Sequence, residues 1–77
     1  MKNVIIYTTP TCVFCKMAKE FFEEHAIPYT EYDVAQDAKK RDELITKSGQ
    51  MGVPVILIDN EMVVGFNEEK IRSLLGL

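Results

Sequence analysis

The chain has 77 residues, 47% hydrophobic and 27% charged, a balance that describes a soluble globular protein with room for one domain, residues 1–77. A formal net charge of −3 argues against a nucleic-acid partner, which needs clustered cations. The apolar runs at Val4 to Ile6 and Val53 to Ile58 are far shorter than the ~20 residues of a bilayer-crossing helix, so no membrane partner is expected either.

Asn3 to Thr8 is a short β-branched and aromatic run that predicts a buried first strand, broken by Thr9-Pro10-Thr11. From Cys12 to about His25, apolar residues recur at helical spacing (Phe14, Met17, Ala18, Phe21, Phe22 and Ala26), leaving Lys16, Lys19, Glu20, Glu23 and Glu24 for water. Ile27-Pro28 closes this amphipathic helix. Tyr29 to Val34 predicts a second strand, and Asp37 to Ser48 a second helix with Ala38, Leu44 and Ile45 on one face, stopped at Gly49. Pro54 to Ile58 and Glu61 to Gly65 read as two strands joined by an Asp59-Asn60 turn, both residues tolerating the left-handed conformation. Asn67 caps a last helix, with Glu68 and Glu69 in its first turn and Ile71, Leu74 and Leu75 as its buried stripe. The order βαβ-α-ββα predicts an α/β fold with a mixed four-stranded sheet flanked by three helices. Its first two strands are parallel through a right-handed crossover, and its last two form an antiparallel hairpin.

Cys12 and Cys15 are the chain's two cysteines, and both stand where a strand hands over to a helix. The first turn of a helix offers unpaired N–H groups and about half a positive charge, which together favour a thiolate. Lys16 and Lys19 add to this field. Cys12 is thus the expected nucleophile, and Cys15, one turn behind, is placed to attack a mixed disulfide on Cys12 and release the reduced product. A structural disulfide would close a loop of about four residues and stabilise little. Zinc needs four ligands where the chain offers two cysteines and the lone His25. Two unrelated core cysteines are the remaining alternative.

With these pieces in place the chain resembles the glutaredoxins, a branch of the thioredoxin-like fold, along its whole length. The matching stretches are Tyr7-Thr8-Thr9-Pro10-Thr11-Cys12-Val13-Phe14-Cys15-Lys16, Ser48-Gly49-Gln50-Met51-Gly52-Val53-Pro54 and Val64-Gly65-Phe66-Asn67. Phe14 stands where Tyr is usual in the family, Gly52 where Thr is, Val64 where Gly is, and Asn67 where Asp is. Val13 and Gly65-Phe66 look more like the small glutaredoxin-like redoxins that supply electrons to ribonucleotide reductase and are reduced by thioredoxin reductase. Some relatives carry selenocysteine at the position of Cys12.

The resemblance implies a cis peptide at Val53-Pro54 facing the cysteines, where the residues alone indicate a proline opening a strand. It also implies that the Val53 backbone pairs with an extended substrate. Thr11, Phe14, Met51, Val53, Pro54, Gly65 and Asn67 are the expected contacts to glutathione or a peptide. Phe14 equally starts the helix's apolar stripe, Asn67 equally serves as a plain cap, Met51 as rim filler, and Phe66 as a hydrophobic staple or part of a docking surface. His25 reads as a charge at a helix C-terminus, and Lys39-Lys40-Arg41 as a solvated face.

The expected function is dithiol oxidation and reduction of protein disulfides or glutathione-mixed disulfides. Glutathione would be a co-substrate, and glutathione or thioredoxin reductase the electron source. No metal or organic cofactor is expected, and a monomer is. The N-terminus, with one Lys and a very short apolar run, makes no secretory signal, so the cytoplasm is the expected location. The alternative is a binding module that holds a metal or iron–sulfur cluster through Cys12 across a dimer.

Overall fold

The computed structural model describes residues 2–77. The elements follow in the order β1 (Val4–Thr8), α1 (Val13–Glu24), β2 (Thr30–Asp33), α2 (Ala38–Ser48), β3 (Val55–Ile58), β4 (Glu61–Val64) and α3 (Glu68–Leu75). The four strands form one sheet in the order β2-β1-β3-β4. β1 runs parallel to β2, with Ile6 opposite Glu31 and Thr8 opposite Asp33, and antiparallel to β3, with Tyr7 opposite Val55. β3 and β4 are the antiparallel hairpin, and Asp59 takes the left-handed conformation at φ 54° in its turn.

Because side chains alternate along a strand, β1 feeds two cores. Val4 and Ile6 pack with Ala18, Phe21 and Phe22 of α1 and Ile71 of α3. Tyr7 points the other way, onto Val34, Leu44 of α2, Val55 and Leu57. All four residues of β3 are buried, which is why that strand is a continuous apolar run. Both outer strands carry polar features. β2 presents Glu31 and Asp33, and the ammonium of Lys70 donates to the Met62 carbonyl of β4 at 3.2 Å.

Three sequence expectations change. Met17 lies on the exposed side of α1, as does Phe14, for which the sequence leaves both the rim and the apolar stripe open, and Cys15 takes the buried place in that turn, because the helix starts at Val13 and turns its first-turn stripe toward Cys15, Ala18 and Phe22. Ala38, expected on the buried face of α2, is exposed, since its place at the helix start lies beyond the reach of the sheet. The end of α1 is set earlier than Ile27-Pro28: Ala26 adopts φ 53°, its N–H bonds the Glu23 carbonyl and the Ile27 N–H bonds the Phe22 carbonyl. That is a left-handed helix stop made with alanine where glycine is usual. α2 and α3 end on left-handed Gly49 and Gly76. No helix among the described residues is long and apolar enough to cross a membrane.

Candidate active site

The turn Thr9-Pro10-Thr11 carries the chain from the end of β1 into α1, and Cys12 occupies the N-cap with extended backbone at φ −88° and ψ 111°. A cap side chain accepts hydrogen bonds from the first free N–H groups of its helix. The sulfur of Cys12 takes that place, and the Cys15 N–H donates to it at 3.1 Å. The Cys12 thiol in turn points at the Val53 carbonyl, 3.7 Å away. Both cysteines are free thiols; Cys12 is half-buried, whereas Cys15 is only 1% exposed. One cysteine is therefore open to an outside reactant and the other is closed to it.

The Val53–Pro54 peptide is cis. The Pro54 carbonyl accepts from the Gly65 N–H at 2.8 Å, which ties the start of β3 to the end of β4 and brings the segment before α3 beside the cysteines. A groove results, walled by Phe14, Val53, Pro54, Val64, Gly65, Phe66 and Asn67. Of the residues singled out from sequence, Phe14, Val53, Pro54, Gly65 and Asn67 meet there. Thr11 and Met51 are exposed and form no part of these walls.

Asn67 caps α3, its side chain accepting from the Lys70 N–H at 3.2 Å. Phe66 is half-buried and packs edge-on against Phe21 at 6.0 Å. Val64 was not among the sequence candidates. It is 56% exposed, and the alternation of β4 that buries Val63 is the signal that turns Val64 outward. With Val13 at 69%, Phe14 at 59% and Met51 at 64% exposed, it belongs to a set of large apolar side chains that the fold leaves open to water. His25, at the end of α1, lies against the Phe21 ring at 4.5 Å.

Burial pushes the Cys15 thiol up to about 12, and the hydrogen bond and charge of Cys12 push the same way. A backbone hydrogen bond from Thr9 and the charge of Lys19 act in the opposite direction. Lys19 itself is paired with Glu31 of β2 at 2.9 Å, and the buried Thr8 hydroxyl donates to the same Glu31 oxygen at 2.7 Å. That hydrogen bond, followed by the Lys19 ammonium, holds the Glu31 carboxyl below the ordinary range. On the far side of the sheet, the hydroxyl of fully buried Tyr7 donates to Glu43 at 2.6 Å, and Lys40 and Lys47 flank that carboxylate. Among the described residues, no three His, Cys, Asp or Glu side chains come together in a way that could hold a metal ion within the chain.

Residues 4–63 match the glutaredoxin family model. The chain is 46% identical over 70 residues to an uncharacterized glutaredoxin-like 8.6 kDa protein in the rubredoxin operon of Clostridium pasteurianum, covering 91% of this chain and 93% of that one. It is 37% identical over 68 residues to glutaredoxin 3 of Escherichia coli, covering 88% and 82%. In three dimensions it superposes on a mutant of the thioredoxin-like protein BC3987 with a TM-score of 0.91 and 37% identity, covering 99% of this chain and 97% of that one.

Proposed function

The chain belongs to the glutaredoxin family, and from that premise we propose that it is a dithiol thiol-disulfide oxidoreductase in which Cys12 attacks and Cys15 resolves. The observation that carries the assignment of roles is the asymmetry of the two sulfurs. Cys12 is reachable and accepts the Cys15 N–H at 3.1 Å, while Cys15 is sealed one turn below. The Cys12 thiolate attacks one sulfur of a substrate disulfide and displaces the other as a thiolate. Cys15 then attacks the Cys12 sulfur and forms the intramolecular disulfide. The second substrate sulfur leaves, and two electrons have passed from the cysteines to the substrate.

The groove beside Cys12 favours a protein disulfide over glutathione. Glutathione carries two carboxylates, and no cationic side chain lines the walls from Phe14 to Asn67. The start of α3, where free N–H groups would otherwise welcome a carboxylate, holds Glu68 and Glu69 in its first turn. Exposed Val13, Phe14 and Val64 suit apolar residues flanking a substrate cysteine. Reduction by a thioredoxin reductase rather than by glutathione, in a cytoplasmic setting that keeps thiols reduced, completes the proposal.

Paired NADPH-coupled assays test it, one with glutathione and glutathione reductase and one with thioredoxin reductase, each on a protein disulfide. Faster turnover with thioredoxin reductase is expected, and the reverse order would return glutathione to first place. Cys12→Ser should abolish turnover with both; surviving activity would remove Cys12 from the mechanism.

A further inference from the structure

The second step of this reaction asks something of the fold that the first does not. Cys15 must carry negative charge inside the protein, 1% exposed, while it attacks the Cys12 sulfur. Buried charge is costly unless something compensates it. The groups on the α1 side of the sheet are arranged so that one compensating charge stands near. Lys19 follows Cys15 by four residues on α1, which places the two side chains on one helix face with Cβ atoms about 5–6 Å apart. Its ammonium is fixed by Glu31 at 2.9 Å, and Glu31 is fixed by the hydroxyl of Thr8 at 2.7 Å.

Thr8 is itself 1% exposed and ends the strand that leads into the cysteine turn. The titratable side chains that act on Cys15 are Cys12 and Lys19, and those that act on Lys19 are Glu31, Cys15 and Glu23. Val53 brings only its backbone carbonyl, directed at Cys12.

Resting on the dithiol reading above, we propose that Lys19, held by Glu31 and Thr8, is a positioning residue for the resolving step and supports the charge on Cys15 as it attacks. Once Cys12 is in a mixed disulfide, its own charge no longer opposes that of Cys15, and the ammonium of Lys19 becomes the dominant charge felt by the attacking sulfur. The Cys15 proton leaves to solvent, the Cys15–Cys12 bond forms, the Cys12–substrate bond breaks, and the departing sulfur takes a proton from water. Thr8 and Glu31 act only through Lys19, by keeping a flexible chain in one place.

Stopped-flow reaction of the reduced protein with dithionitrobenzoic acid separates the two steps. One thionitrobenzoate is released by Cys12 and a second by Cys15. An opposite charge nearby shifts an ionisation by roughly 1–3 units, and partial exposure of Lys19 puts it at the low end. Allowing for the greater nucleophilicity of a more basic thiolate, Lys19→Gln and Lys19→Met should therefore slow the second release about threefold at pH 7 and move its pH midpoint up by about one unit. The first release should stay within twofold, and Lys19→Arg should restore the second.

In a Glu31→Gln background the same Lys19→Gln change should shift the profile by less than half as much; an equal shift would remove Glu31 as the anchor. A second release unchanged in rate and pH profile by Lys19→Gln would overturn the inference and leave the dithiol mechanism standing. No second release from the unsubstituted protein would overturn the mechanism itself.

Discussion

Labelling of the two thiols offers a direct measure of how far the fold separates their roles. With Cys15 pushed up to about 12 from an ordinary 9.0, its thiolate fraction at pH 7.5 falls from roughly one in thirty to roughly one in thirty thousand, about a thousandfold loss. A more basic thiolate is also a better nucleophile, and a Brønsted slope of about 0.4–0.5 returns a factor of roughly twenty over that range. The loss wins. Cys15 should react with iodoacetamide about fifty times more slowly than a free cysteine, and more slowly still because its sulfur is sealed from the reagent. Peptide maps of singly modified, reduced protein should place nearly all label on Cys12. In Cys12→Ser the hydrogen bond and charge of Cys12 are gone while burial, the largest cause, remains, so Cys15 should label faster than in the parent yet slower than a free thiol. Comparable labelling of the two cysteines in the parent protein would refute the assignment of an outer attacking and an inner resolving sulfur.

Two further outcomes concern stability. Tyr7→Phe removes a hydrogen bond to a carboxylate and should cost about 1–2 kcal/mol in urea unfolding at pH 7, the low side for a charged acceptor because Glu43 regains water. Glu43, through Tyr7 first, and Glu31, through Thr8 first, are held below the ordinary 4.5, so they favour the folded state above that pH and lose this effect as pH falls through their folded values. The Tyr7→Phe deficit should accordingly shrink in acid, and a deficit constant from pH 7 to pH 3 would exclude Glu43 as its source. Ala26→Gly should raise stability by about 0.5–1 kcal/mol, since alanine at φ 53° carries left-handed strain that glycine lacks and that outweighs the added freedom of the unfolded chain. A loss on thermal melting would refute that balance.

Much of this was legible in the sequence because local and long-range signals agree. The Asn3 to Thr8 run, the Cys12–Cys15 spacing, Asn67 as a cap and Gly49 as a stop each mark an element chemically, and the structure places an element at each. The cis peptide at Val53-Pro54 was legible only through resemblance, because a proline opening a strand satisfies the same local rules in either isomer. What escaped depends on rotation about the helix axis and on tertiary pairing. Hydrophobic spacing in α1 cannot distinguish a stripe that joins Phe14 and Met17 to Ala18, Phe21 and Phe22 from one that joins Cys15 to them, and the sheet decides for the second. Val64 was missed because three apolar residues in a row hide which ones face out on an edge strand. The Thr8–Glu31–Lys19 chain joins residues 23 and 12 positions apart through the parallel pairing of β1 with β2, which no single segment announces.

The Lys70 bond to Met62 has a bearing on how the molecule behaves in a crowded solution. β2 and β4 are the sheet's two outer strands, and each offers backbone groups onto which another copy could zip. A lysine tip already occupies one of those carbonyls on β4, and two carboxylates crowd β2. Recruitment of identical molecules edge to edge is discouraged at both rims.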